Sequence, residues 1–504
     1  MKKIVYQLLP RLWGNGKFAA VDTGTLRYLK EGLGATYLWC TGVIRHATTK
    51  KDEGCTPSHP QIVKGSAGSP YAITDYYDVN PYLAEDPSAR MEEFRSLAER
   101  VHAAGMKLLI DFVPNHVARD YWSKAAPEGV RSLGRDDNTS VHWAPENDFF
   151  YYPGEALMLP EPFNGPGYFE YPAKASGNCF SPRPGINDWY ETVKINYCDF
   201  HTATWDKMLD IVRFWLAQGV DGFRCDMVEL VPWQFMQWLI SRVREEYPEA
   251  FFVAEVYEKE KYRLYVEEVG FDLLYDKSGL YDSLRAITCD GAPASRITEN
   301  WQFLGPLQPR MLNFLENHDE QRIASDFFCG SPQGGYAALG VSLLLNTAPF
   351  MLYFGQEIGE RGMDNEPFSG VNGRTSIFDW WTVESLRRLK EWTGDHRKGL
   401  KADEREVLKR YREVLALALT PAFAGGATYD LCYCQDGHFD RNRHFAWLRS
   451  DGAKTWLLAA NFGPAAELTL RIPPEALKYL GIKAVRTVYT VSAAERDFVY
   501  LPVE

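Results

Sequence analysis

The sequence predicts an α/β fold. It reads as a TIM (β/α)8 barrel with an inserted domain after strand three and a C-terminal antiparallel β-sandwich. Three observations carry this. Short apolar runs that read as buried strands alternate with amphipathic helical runs, which argues for βα units and a parallel sheet. Eight such strands can be placed, the number that closes a TIM barrel. The regularity breaks once, between His116 and about Asn196, and changes character after Pro421.

The strands are expected at Ile4–Leu9, Ala35–Cys40, Lys107–Phe112, Val220–Cys225, Phe251–Val256, Phe271–Tyr275, Arg310–Leu315 and Ala348–Phe354. The first follows Met1-Lys-Lys and superficially suggests a signal peptide. Its apolar run is interrupted by Gln7, ends at Pro10 and has no small-residue cleavage site after it, so it reads as strand one. Between strands two and three, Asp86-Pro87 supplies an N-cap and a proline for the first helical position. Met91, Phe94, Leu97, Ala98 and Val101 then repeat at helical spacing, and Gly105 stops the helix. Trp205, Met208, Leu209, Val212, Trp215 and Leu216 form a second apolar stripe that ends at Gly219.

The stretch after His116 is rich in Pro, Gly, Asn and aromatic residues, as in Pro160-Glu-Pro-Phe-Asn-Gly-Pro-Gly-Tyr168. It is too long for a βα loop. A charged-then-apolar helix, Ala402–Leu419, precedes Thr420-Pro421, and beyond it strands such as Thr455–Asn461 and Glu467–Ile472 alternate with turns. The expected division is 1–116 and 197–420 for the barrel, 117–196 for the insert and 421–504 for the sandwich.

A chain of 504 residues is too long for one simple core, which fits this division. The net charge of −12 leaves no basic groove for nucleic acid, so none is expected as a partner. No run of about eighteen apolar residues exists, so no membrane span is expected. Aromatic residues make up 14% of the chain, enough for sugar-stacking surfaces, although any single ring is as well explained by the core. The nine cysteines (Cys40, Cys55, Cys179, Cys198, Cys225, Cys289, Cys329, Cys432 and Cys434) show no zinc-site spacing; Cys432-x-Cys434 is too short for a ligand pair. Reduced thiols in a cytoplasmic setting fit them best.

Four segments carry the chemistry: Asp111-Phe-Val-Pro-Asn-His116, Gly222-Phe-Arg-Cys-Asp226, Val253-Ala-Glu255 and Glu316-Asn-His-Asp319. Each follows or ends an expected strand and delivers a carboxylate to its C-terminal end. Residues i and i+2 of a strand point the same way, so Arg224 and Asp226 share the barrel side while Cys225 faces the helices. A guanidinium beside a carboxylate favours the ionised form, the state a nucleophile needs. Alone, an Arg-x-Asp is more often a structural ion pair. Glu255 follows the apolar run Phe251-Phe-Val-Ala, and apolar surroundings raise a carboxyl pKa, which suits a proton donor. Alone, it is a strand-end surface glutamate.

Together the four segments resemble the signature regions of the α-amylase family, glycoside hydrolase family 13. Tyr6-Gln-Leu-Leu-Pro, Tyr71-Ala-Ile-Thr-Asp75-Tyr76 and Pro349-Phe-Met-Leu-Tyr-Phe-Gly-Gln-Glu357 fit as well, so the resemblance covers most of the chain. It implies retaining hydrolysis of α-glucosidic bonds, chiefly α-1,4, in starch-like glucans or maltooligosaccharides. Asp226 is then the nucleophile, Glu255 the general acid/base and Asp319 the third carboxylate. Tyr71, His116, Arg224 and His318 would contact the sugar, and Asp111 would support Arg224 from behind. Carboxyl groups on consecutive strand ends, about 4.8 Å apart, can reach the roughly 5–5.5 Å of retaining enzymes.

No organic cofactor is implied. A structural calcium is, through Asn115 and a backbone carbonyl near Leu230. Calcium takes six to eight oxygens, and the sequence names only these two. Two departures stand out: Glu229-Leu230 where many relatives carry Lys-His, and Glu191-Thr-Val-Lys-Ile-Asn196 near the end of the insert. A transglycosylase would use the same carboxylates. A non-catalytic binding or scaffold protein on the same fold is the distant alternative; retention of Asp226, Glu255 and Asp319 speaks against it.

Overall fold

The computed structural model describes residues 2–51, 56–437, 439–483 and 486–504. Eight parallel strands close a barrel: β1 Ile4–Leu8, β2 Tyr37–Cys40, β3 Lys107–Phe112, β4 Gly222–Cys225, β5 Phe251–Ala254, β6 Leu273–Tyr275, β7 Met311–Phe314 and β8 Phe350–Tyr353. Each pairs with the next in the chain, and β8 closes on β1 through Ile4↔Phe350. The strands are buried along almost their whole length, as a sheet covered by helices on the outside and filled inside must be.

The helix before β3, α1, spans Arg90–Ala103 and buries Phe94, Leu97, Ala98 and Val101. Met91 is only partly covered, and the expected start shifts. Pro87–Ala89 form a 3-10 turn, and Asp86 caps that turn by accepting from the Ser88 N–H at 2.9 Å. The helix α2, Ala203–Ala217, buries the expected stripe from Trp205 to Leu216.

Between β3 and α2 the chain leaves the barrel. His116–Ala118 pairs antiparallel with Thr192–Lys194, and Tyr151–Tyr152 with Ala173–Lys174. Few regular bonds hold this segment, so buried side chains take over. Asp148 accepts from Thr204 Oγ1 at the start of α2 and from the Gly134 N–H, and it pairs with Lys207. Arg119 joins Glu170 at 2.8 Å.

After a final barrel helix, Ala402–Ala418, the chain forms a four-stranded antiparallel sheet, Ala427–Asp430, His444–Ser450, Thr455–Asn461 and Phe498–Pro502. A two-stranded sheet, Ala466–Arg471 with Val488–Ala493, covers its outer side. Alternation along the strands feeds two cores. Phe445 and Trp447 point toward the barrel's core, while Ala446 and Leu448 point toward Leu468 and Leu470 of the small sheet. No helix among the described residues is long and apolar enough to cross a membrane. Eight cysteines are free; Cys55 lies outside the described residues.

Candidate active site

All four segments end at the same mouth of the barrel. Arg224 is in register with Asp111 on β3 and Val253 on β5. The ladder runs one residue past each strand: the Asp226 N–H donates to Phe112 O at 2.9 Å and the Glu255 N–H to Cys225 O at 3.2 Å. Asp226 and Glu255 therefore stand side by side on consecutive strand ends. Cys225 is fully buried between Arg224 and Asp226, as the alternation requires.

Arg224 sits at the centre. Its Nη1 lies 2.6 Å from Asp226 Oδ1 and its Nη2 2.8 Å from Glu255 Oε2. Asp111 Oδ1 stands back at 4.0 Å, and the Tyr275 hydroxyl accepts from Nε at 3.2 Å. The rings of Tyr71, Tyr275 and Trp39 lie 5.3, 5.5 and 5.6 Å from the guanidinium. Carboxylates and π-faces together replace the water that this buried cation has lost.

One guanidinium shared by two carboxylates does not fully compensate Asp226. Burial pushes Asp226 up, Arg224 opposes it, and the Glu255 charge adds to the rise, so that Asp226 lies at about 7. Arg224 acts as expected, toward the ionised form, but burial outweighs it. The surroundings of Glu255 differ from the apolar pocket expected. Its Oε1 accepts from the Tyr257 hydroxyl at 2.6 Å and its Oε2 from the Met227 N–H at 2.9 Å. Met227 reaches that oxygen with φ of 44°, a left-handed backbone unusual for a residue with a side chain.

Asp319 follows β7 at the open mouth, its side chain 46% exposed. Against the rise that burial alone would cause, His318, 3.0 Å away, then Arg224 and Arg374 hold it down at about 2, with solvent screening the effect. His318 lies behind the pocket wall, stacked on Tyr71 with ring centres 5.2 Å apart and touching the Gln7 amide at 2.8 Å. The Tyr71 hydroxyl reaches His318 Nε2 and Asp111 Oδ1. His116 packs on Trp189, ring centres 5.0 Å apart. Burial, then the Lys194 and Lys64 charges, push it down to about 3, so it is a neutral imidazole.

Asp226, Glu255, Asp319, Tyr71 and His116 line one pocket of about 360 Å³. Arg224, His318 and Asp111 stand behind its wall. Sequence reasoning passed over Tyr257, Trp189, Lys64 and Glu191, which line it too. Tyr257 had a signal: it lies two residues after Glu255. Trp189 and Glu191 come from the irregular insert, where no periodicity marks a facing side. Lys64 pairs with Glu191 at 3.0 Å, and burial pushes the Glu191 carboxyl up.

The family model described as alpha amylase, catalytic domain, matches residues 16–416, well over half of the chain. The chain belongs to the α-amylase family. Among this family's curated members it is 24% identical to alpha-amylase 3 of Dictyoglomus thermophilum over 62% of this chain and 59% of that one. It is 24% identical to a probable oligo-1,6-glucosidase 3 of Bacillus subtilis over 91% and 90%. The chain spans about 44–59% of the length of the first curated relatives it matches. In fold it is similar to a maltogenic alpha-amylase, AmyB, from Thermotoga neapolitana (TM-score 0.63, 19% identity, 99% of this chain and 96% of that one). It is also similar to the cyclic alpha-maltosyl-(1-->6)-maltose hydrolase of Arthrobacter globiformis (TM-score 0.64, 16% identity, 100% and 98%).

The calcium that this family resemblance implied does not fit the residues present. Asn115 and Leu230 do come together, but both of their oxygens accept from the Lys194 ammonium. No group of three or more His, Cys, Asp or Glu that could hold a metal occurs among the described residues. A divalent cation placed there would face a positive charge with no carboxylate set to balance it.

Proposed function

We propose that this α-amylase-family chain hydrolyses α-glucosidic bonds, chiefly α-1,4, in starch-like glucans or maltooligosaccharides, with retention of configuration. The observation that supports it is the single Arg224 guanidinium gripping Asp226 and Glu255 on adjacent strand ends. Carboxyl groups on adjacent strand ends suit the roughly 5–5.5 Å separation of retaining enzymes.

Arg224 holds Asp226 Oδ1, which leaves Oδ2 to attack the anomeric carbon. Glu255 Oε1 faces the Tyr257 hydroxyl, a group that can give or take a hydrogen bond, so this oxygen can carry the proton passed to the leaving glycosidic oxygen. The ester on Asp226 is then cleaved by water, which gives its proton back to Glu255 and frees the Asp226 carboxylate. Asp319, held ionised, binds sugar hydroxyls and favours the cationic transition state. His116, neutral, and Tyr71 contact the sugar from the pocket wall.

The acceptor side departs from the Lys-His of many relatives at Glu229-Leu230. Glu229 accepts from the Tyr257 N–H at 2.8 Å and the Glu258 N–H at 3.1 Å, so its carboxylate is spent on shaping a loop. Tyr257, carried by that loop, becomes the surface offered to the departing sugar.

Proton NMR during early hydrolysis of maltoheptaose tests the proposal. The α-anomer is expected first; the β-anomer first would overturn retention. Oligomers longer than the substrate would show that a sugar takes the ester more readily than water does, the transglycosylase alternative.

A further inference from the structure

Lys194 ends the strand Thr192–Lys194 of the inserted segment. Its ammonium reaches out of that segment to two oxygens of the barrel side. One is Asn115 Oδ1, just past β3; the other is the Leu230 carbonyl, in the turn after β4, at 2.8 Å. The Asn115 amide cannot turn away. It is fully buried, and its Nδ2 donates to Gly177 O at 2.8 Å, which aims Oδ1 at Lys194. The backbone repeats the connection: the Ile195 N–H donates to Asn115 O at 3.0 Å, and Lys194 is in register with His116 in the antiparallel strand pair. One side chain thus joins three pieces of chain: the insert, the segment bearing His116 and the turn that follows Asp226.

Two neutral oxygens converging from separate loops form a seat for a cation, and the chain fills it from its own sequence. Three N–H donors suit two acceptors better than a divalent ion that needs six or more oxygens.

We propose that Lys194 is a built-in replacement for a bound metal: its ammonium locks the inserted segment to the barrel and positions His116 and the turn after Asp226, so that the protein needs no calcium. The lock stands on its own; the bearing on His116 rests on the proposed reaction, in which that residue touches the sugar.

The test uses the full chain at pH 7. Wild-type protein is melted in excess chelator and in millimolar calcium, and its metal content is measured. Lys194→Met, which keeps the length and removes the charge, is melted in both. The expected result is one wild-type Tm in both media with no calcium bound, and a Met variant melting about 2–6 °C lower in both, since the buried Asn115 oxygen and the Leu230 carbonyl lose their shared donor. Well below the melting range the variant should raise KM for a maltooligosaccharide about tenfold with kcat little changed, a split that general loosening would not give. A wild-type Tm that climbs with calcium, or one calcium ion per chain, would overturn the proposal, as would a Met variant with unchanged Tm and KM. If the variant is recovered only unfolded, the wild-type melts decide. If the chain proves inactive on glucans, the melts still read the lock while the reaction falls.

Discussion

At Asp226, two carboxylates and one guanidinium share a space that water has left. The folded protein holds a proton on Asp226 up to about pH 7, whereas an unfolded aspartate releases it near pH 4. Between those values the native state binds more protons than the unfolded one, so this residue's contribution to stability falls as pH rises. Asp226→Asn removes that loss. The variant should be inactive by several orders of magnitude and yet more stable than wild type, by about 1–3 kcal/mol at pH 8 and by almost nothing at pH 4. Melts across that range check the slope; a variant less stable at pH 8 than at pH 4, relative to wild type, would refute it. Glu255→Gln probes the other role. An activated aryl glycoside should still esterify Asp226, with mass spectrometry showing the sugar on its peptide, and azide should restore turnover because it needs no base. Full activity on unactivated maltooligosaccharides would reassign the acid.

Among the elements, β4 has the least freedom. A Cβ on Gly222 would stand 2.1 Å from the Phe251 carbonyl oxygen of β5, so the two strands approach as closely as they do only because residue 222 has no side chain. Gly222→Ala should push β4 away, at a cost of about 1–3 kcal/mol, and should lower kcat/KM at least tenfold because Arg224 and Asp226 ride on the same strand. A denaturant melt and steady-state rates check both. Strands of this kind explain what could be read in the sequence. Arg224, Asp226, Glu255 and Asp319 stand at fixed offsets from apolar runs, and the barrel turns those offsets into a common mouth. The surroundings of Glu255 were misread because its partners, Met227 and Tyr257, reach it through a left-handed turn and a loop fastened by Glu229. Lys194 lay deeper still: its oxygens are 79 and 36 residues away, and nothing in Glu191–Asn196 announces them.

On the scale of the whole chain, barrel and C-terminal sheets share one apolar core. The helix Tyr336–Leu344 is buried on every side from Ala337 onward, with Phe498 against Gly340 and the Trp447 indole N–H donating to Leu344 O at 3.3 Å. Arg410 and Asp497 pair across the same seam at 2.7 Å. A chain ending at Thr420 would present Ala337, Val341 and Leu344 to water. It should be recovered as aggregate or with exposed apolar surface detected by dye binding, even though every carboxylate of the candidate site is upstream. A soluble, cooperatively melting 1–420 fragment would show that the two cores are separable. The pattern of the sequence changes after Pro421, but the shared seam could not be foreseen, since each strand there alternates between two apolar partners and looks the same in sequence.

Cys225 offers a clock. Its thiol is fully buried, and burial pushes its ionisation well above the usual thiol range. An alkylating reagent reaches it only in the moments when the strand parts from its neighbours. The rate of its modification, followed by mass spectrometry against the exposed Cys289, therefore times the opening of the barrel at the very strand that bears Asp226. A bound oligosaccharide should slow that clock in proportion to its occupancy, without any turnover being measured.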